Sequence, residues 1–218
     1  GGMLKENFVA LDESGITRLQ QGPSNSHLAE TMSELYPHCD VTVLTNGVDT
    51  ELFHPRKQPH EKFTIGWVGN TARIGKRYNL AEQIAEKTHS KLSVASYESK
   101  IPHELMPWFY WECDVLLITS DTEAHPLSLY EAMSCGIPVI STDVGDVNQV
   151  INHGVNGYIL PIDFNIDEAI TYINKLKDED HRQQLGENAR KTILQSWKWE
   201  DQAKKYQRFV QRFTHRKG

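Results

Sequence analysis

The sequence predicts an α/β fold built on a doubly wound, mostly parallel sheet, and three observations predict it. Through the middle of the chain, short runs rich in β-branched and aromatic residues recur between longer helical stretches. The run Val115-Leu116-Leu117-Ile118 is apolar on both faces, as a strand covered by helices on both sides must be. With 218 residues, the chain has room for one such domain with its own core, or one domain plus a fragment of another.

Taken in order, the first 45 residues predict a helix at His27–Tyr36 and an apolar strand at Val41–Thr45. One helix and one strand cannot bury their own apolar faces, so residues 1–45 are expected to be the tail of a preceding domain. Asn46-Gly47-Val48-Asp49 is a turn signal, and the Pro- and charge-rich stretch Pro55–Glu61 completes a linker over 46–61. Residues 62–197 form the main domain. Strands are expected at Phe63–Val68, Lys91–Ala95, Asp114–Thr119, Pro138–Ser141 and Tyr158–Leu160, each bounded by Gly, Pro, Ser or Asn. Helices are expected near Asn79–Thr88, Pro102–Trp111, Ser128–Ser134 and Val147–Ile151. Repeated β-α-β units with right-handed crossovers give a Rossmann-like layer, whose ligands bind at the carboxyl ends of the strands. Residues 198–218 form a last helix with Trp199, Tyr206, Phe209 and Phe213 in an aromatic stripe. Its opposite face carries Lys204, Lys205, Arg208 and Arg212, a face that suits water or an acidic membrane surface.

Composition narrows the function classes. Hydrophobic content of 39% with 24% charged residues is ordinary for a globular protein, which disfavours disorder and fibres. No apolar run approaches the roughly 20 residues of a membrane span. A net charge of −6 gives no reason to expect nucleic acid as a partner. Cys39, Cys113 and Cys135 are too scattered for a disulfide frame or zinc site, which fits a reducing cytosol. Gly1-Gly2-Met3-Leu4-Lys5 lacks the apolar core of a secretion signal and looks like a cloning scar. His27, His38, His54, His60, His89, His103, His181 and His215 show no metal-ligand spacing, so neither metal nor cofactor is expected.

The richest stretch runs from Glu123 to Pro138. It follows a buried strand, crosses a loop and opens a short helix, with seven residues between Glu123 and Glu131. Backbone N–H groups around Leu127–Leu129 are the unpaired donors of a helix start, which is an anion site. A diphosphate would rest there, with a carboxylate reaching sugar hydroxyls on either side. Ser128 and Glu131 also have the S-x-x-E spacing of a capping box, which explains Glu131 without any ligand. A glycosidase-like acid/base pair fits less well, because both acids lie on one loop-helix unit instead of flanking a cleft.

At these residues the chain resembles glycosyltransferase family 4, whose retaining enzymes have the GT-B fold. Glu123 to Glu131 resembles the family's E-x7-E motif, and Glu131-Ala132-Met133-Ser134-Cys135-Gly136-Ile137-Pro138-Val139-Ile140 is similar to its E-A-M-A-C-G-x-P-V-I run. Asn46-Gly47-Val48-Asp49 through Phe53-His54-Pro55 resembles the interdomain N-G-V-D-x-x-x-F-x-P signature. Asp114–Ser120 resembles the strand before E-x7-E, and Asn152-His153-Gly154-Val155-Asn156-Gly157-Tyr158 the H-G-x-N-G turn. The order is preserved from about residue 24 to 160.

The resemblance implies a role for each matching residue. Glu123 would lie at the transferred sugar as the catalytic carboxylate, and Glu131 would hold the ribose. The loop His125, Pro126, Leu127, Ser128 and Leu129 would meet the diphosphate. The family's basic pair after the first strand maps onto Lys76, while Asn70 stands where an arginine is usual and Arg73 is the candidate replacement. Ile101 falls at the nucleobase contact. His125 differs from the glycine or phenylalanine common there, and would tune the donor pocket. The implied partner is a nucleotide-diphosphate sugar. The implied enzyme is a hexosyltransferase of polysaccharide or glycolipid synthesis, cytoplasmic or at the inner face of a membrane. The acceptor-binding N-terminal domain would be missing from this truncated chain, leaving it inactive alone. The alternatives are a non-catalytic nucleotide-sugar-binding subunit that needs a partner chain, and a nucleotide-sugar epimerase on the same fold.

Overall fold

The computed structural model describes residues 10–11, 17–18, 33–35, 37, 44–56 and 61–214, with side chains of the sheet-forming domain through residue 211. Its centre is a five-stranded parallel sheet: β1 (Thr64–Gly69), β2 (Lys91–Ser96), β3 (Val115–Ile118), β4 (Val139–Thr142) and β5 (Gly157–Leu160), in spatial order 2-1-3-4-5. Among the residues described from 61 onward, seven helices accompany it: α1 (Tyr78–Lys87), α2 (Met106–Trp111), α3 (Leu127–Ser134), α4 (Val147–Val150), α5 (Ile166–Leu176), α6 (Glu179–Ser196) and α7 (Trp199–Thr214). Register is regular: Thr64 pairs with Lys91, Ile65 with Val115, Leu116 with Val139 and Ile140 with Tyr158.

Alternation along each strand divides the core between two faces. Ile65, Trp67, Val115, Leu117, Ile140 and Leu160 pack with Ala81 and Ile84 of α1 and Ala169, Ile173 and Leu176 of α5. Their neighbours Leu116, Ile118 and Val139 turn to the other face, against α2, α3, α4 and α6. The double burial read from Val115–Ile118 is therefore real, since all four are buried. Every predicted strand of the domain is present within about one residue. The predicted helix over Pro102–Trp111 divides into a 3-10 turn at His103–Leu105 followed by α2. Helices α5 and α6 were not named from sequence. Asn165 caps α5 through the Asp167 N–H, and Asp178 caps α6 through the His181 N–H.

Gly136 ends α3. At φ +76° it takes the left-handed position, with its N–H on the Met133 carbonyl and the Ile137 N–H on that of Ala132. This stop directs the chain straight into β4.

The stretch read as a linker is anchored where it is described. Val48 forms a bridge to Lys198, exchanging hydrogen bonds with Trp197 and Trp199 at 3.0 Å each. Phe53 is buried, and the Arg190 guanidinium donates to the Phe53 and Thr50 carbonyls. Of the expected helix His27–Tyr36, residues 33–35 are helical; the rest lies outside the described residues. Of the expected strand Val41–Thr45, Leu44 and Thr45 are irregular and the rest lies outside them. Along α7, Phe209 is buried and Tyr206 partly so, but Trp199 is 48% exposed, so the stripe is not uniform. Lys204, Lys205 and Arg208 are exposed, while the side chains of Arg212 and Phe213 lie outside the described residues. Among the described residues no helix is long and apolar enough to cross a membrane.

Candidate functional site

In the order 2-1-3-4-5 the chain reverses its direction of travel between β1 and β3, and the crevice outside their carboxyl ends is where such sheets bind ligands. The loops that follow these two strands are stitched together. The Asp121 N–H donates to the Gly75 carbonyl at 2.9 Å, and the Thr119 hydroxyl to the Lys76 carbonyl at 2.8 Å. Thr119 in turn accepts the Trp67 indole N–H at 3.1 Å. Arg77, in the left-handed region at φ 48°, donates to the carbonyls of Thr119 (2.5 Å), Ser120 (3.0 Å) and Ile162 (2.5 Å). Its guanidinium therefore clamps loops and is not turned to a ligand.

This clamp sets Lys76 against Glu123. The ammonium pairs with Glu123 Oε1, and the Ser120 hydroxyl donates to the same oxygen at 2.8 Å. Both charged side chains are mostly buried, at 20% and 14% exposed. Two other predicted basic-loop residues stay outside this contact. Asn70 is exposed, and its side-chain oxygen accepts the Ala72 N–H at 2.9 Å in a local turn. Arg73 is exposed at the entry to a 3-10 turn, Ile74–Lys76.

Helix α3 begins at Leu127, with Pro126 at the cap position and no side chain capping it. The capping box expected of Ser128 and Glu131 does not form. Ser128 is already inside the first turn, and the Glu131 carboxylate is engaged elsewhere. The set of free amides is also smaller than expected. Proline has no N–H, and the Leu129 N–H donates to the Pro126 carbonyl at 2.9 Å. Leu127 and Ser128 remain as the helix-start donors, with Leu127 48% exposed.

Glu131, in the second turn of α3, accepts the Tyr110 hydroxyl on Oε2 at 2.6 Å and faces His103 Nε2 at 3.0 Å on Oε1. Burial raises the carboxyl above its usual range, while the bonds from Tyr110 and His103 pull the other way. Burial, reinforced by Glu131, pushes the Tyr110 phenol well up. Ile101 packs against the core two residues before His103, so that loop does arrive beside Glu131. Neither His103 nor Tyr110 was found from sequence: both lie more than twenty residues from Glu131, and no local spacing marks them.

His125 enters a separate cluster. Its Nδ1 lies 2.5 Å from Asp146 Oδ2, which also accepts the Tyr130 hydroxyl at 2.7 Å. The ring stacks on Tyr130 with centroids 4.2 Å apart, and Tyr130 packs on Trp197 at 5.0 Å. Gly145 makes this approach possible: at φ +58°, a Cβ there would sit 2.5 Å from the Ala124 carbonyl. Among the described residues, His125 Nε2 and Asp146 Oδ1 are buried with no hydrogen-bond partner.

A cavity of about 450 Å³ lies elsewhere, between Pro55, Trp111, Cys135, Pro138, Arg182 and Arg190. Asp114 and Pro138 on its wall precede β3 and β4, so it opens at the amino end of the sheet. None of the predicted site residues lines it.

Known proteins resemble this chain in sequence and in fold. The chain is 36% identical over 94 residues to N-acetyl-alpha-D-glucosaminyl L-malate synthase of Bacillus anthracis, covering 43% of this chain and 25% of that one. It is 30% identical to a probable sucrose-phosphate synthase of Thermosipho melanesiensis over 241 aligned residues, 90% of this chain and 54% of the other. The chain thus spans between a quarter and about half of the length of these relatives. Among solved structures, S. aureus TarM, crystallised with Fondaparinux, alpha-GlcNAc-glycerol and UDP, superposes with a TM-score of 0.70 at 15% identity, over 93% of this chain and 48% of that one. That likeness establishes the fold, an α/β layer shared with GT-B glycosyltransferases. Sequence identifies the lineage: the family described as glycosyl transferases group 1 matches residues 57–192, more than half of the chain, and the chain belongs to it.

Proposed function

We propose that this chain is the donor-binding part of a retaining glycosyltransferase and takes a nucleotide-diphosphate sugar at the carboxyl ends of β1 and β3. The observation that carries the reading is the Lys76–Glu123 ion pair set beside the uncapped start of α3. A cation, a carboxylate and bare amides thus converge at the switch point of the sheet.

In this reading the diphosphate rests on the N–H groups of Leu127 and Ser128, with the exposed main chain of His125 adjoining. Lys76 leaves Glu123 for the phosphate oxygens, and Glu123, still held by Ser120, turns to the hydroxyls of the transferred sugar. When the sugar–phosphate bond breaks, the departing nucleoside diphosphate gains negative charge. Lys76 and the helix start stabilise that charge more than they stabilise the bound donor, which is what lowers the barrier. Glu131 keeps acceptor capacity beyond the bonds from Tyr110 and His103, and we assign that capacity to a ribose hydroxyl. Arg73, exposed on the same loop, is assigned to the outer phosphate. Transfer also requires an acceptor-binding surface, which we assign to polypeptide outside this domain.

Calorimetry with UDP and GDP on the 218-residue chain tests the reading. One of the two is expected to bind, and Lys76→Ala to weaken it about tenfold, the scale of one lost charge-assisted contact. Equal binding by wild type and Lys76→Ala removes Lys76 from the site. Binding of neither nucleotide overturns the reading as a whole.

A further inference from the structure

The donor-site reading does not account for the cluster around His125. Asp146 is completely buried, yet it brings a carboxylate against a histidine side chain that is only 7% exposed. The carboxylate oxygen Oδ2 already accepts from Tyr130, so the hydrogen between it and His125 sits on Nδ1. A neutral ring bearing its hydrogen on Nδ1 presents Nε2 as a bare acceptor. That nitrogen is buried and has no partner among the described residues, an arrangement that is costly unless something supplies a donor. The ring cannot easily swing to find one, because it is stacked on Tyr130, which is itself packed against Trp197.

We infer that Nε2 of His125, held by Asp146, accepts a hydrogen bond from a hydroxyl of the transferred sugar, which makes the His125–Asp146 pair a specificity determinant for the donor. The inference rests on the donor-site reading above. His125 lies two residues after Glu123 and directly before the cap of α3, so in that reading a glycosyl group joined to a diphosphate at the helix start would lie along the loop that carries its ring. Phosphoryl oxygens carry no hydrogen to offer a bare acceptor and are anionic; sugar hydroxyls donate freely. Asp146 is a positioning residue here, since it acts through the imidazole. Gly145 is what allows it to approach the loop.

The test compares UDP with UDP-glucose and UDP-GlcNAc, and GDP with GDP-mannose, by calorimetry on the 218-residue chain. His125→Phe keeps an aromatic ring against Tyr130 and removes the nitrogen. It is expected to weaken the best-bound nucleotide sugar by up to about 13-fold, the upper end for one lost neutral hydrogen bond, while the bare nucleoside diphosphate changes by less than about twofold. His125→Gln, which restores an acceptor near the Nε2 position, is expected to recover part of the loss and guards against a folding defect in the phenylalanine variant. Asp146→Asn should shift sugar affinity in the same direction as His125→Phe. Equal losses for sugar-bearing and bare nucleotides assign the contact to phosphate, or to folding, and overturn the inference. So does an unchanged affinity for both, which gives Nε2 an ordered water or protein partner instead. Failure of the wild type to bind any of these nucleotides overturns the donor-site reading itself.

Discussion

Replacing Tyr110 by phenylalanine isolates one hydroxyl with a definite duty. The ring is fully buried, with edge contacts to Phe53 and Phe109 at 6.0 and 5.4 Å, and phenylalanine keeps them. What is lost is the 2.6 Å bond to Glu131 Oε2, leaving the buried carboxylate with His103 as its remaining side-chain partner. A hydrogen bond to a charged group contributes about 1.5–3 kcal/mol. For a chain of this size each kcal/mol moves the melting temperature by about 2–4 °C, so a drop of roughly 3–12 °C is expected by circular dichroism at pH 7. The penalty should shrink as pH falls and Glu131 takes up a proton, because a neutral carboxyl depends less on its donor. A shift under about 2 °C, or a penalty indifferent to pH, would show that the hydroxyl does not serve a buried charge.

Other substitutions probe the remaining supports. Arg77→Ala removes three bonds to the Thr119, Ser120 and Ile162 carbonyls, and should cost about 2–3 kcal/mol in urea denaturation at roughly 1 kcal/mol each; a loss under 0.5 kcal/mol means the clamp is idle. Gly145→Ala meets both a positive φ and the Ala124 carbonyl, and is expected to destabilise by about 1–3 kcal/mol while weakening nucleotide binding through displacement of the Glu123 loop. For Glu131, whose carboxyl is raised by burial, the folded chain binds a proton more tightly than the unfolded chain. Its contribution is full below the ordinary carboxylate range and fades as pH rises through the raised value. Wild type should therefore lose stability relative to Glu131→Gln across that window. The opposite slope would mean that the Tyr110 and His103 bonds outweigh burial.

The sheet was legible because its strands leave a local mark: Val115–Ile118 is a continuous apolar run, and Gly136-Ile137-Pro138 punctuates the chain just before β4. Helices α5 and α6 carry local marks as well, the caps Asn165 and Asp178, although no helix was named there from sequence. At the site, Lys76 and Glu123 were both named from sequence, and their contact depends on a register between two loops that no spacing encodes. The capping box failed for a related reason. Ser128 and Glu131 have the right separation, but Pro126 starts the helix early, and Tyr110 and His103 compete for the carboxylate from a distant segment. Asp146 was invisible, since a buried partner for His125 21 residues away has no local signature.

The claim on which the rest depends is that a nucleoside diphosphate settles on the start of α3 next to Lys76. Titrating UDP or GDP into the isotope-labelled 218-residue chain and following its backbone amide resonances addresses this directly. The expected result is that the largest shifts fall on Gly75, Lys76 and the segment from Glu123 to Ser128. Shifts confined to the walls of the cavity around Cys135, Arg182 and Arg190, at the opposite end of the sheet, would contradict it.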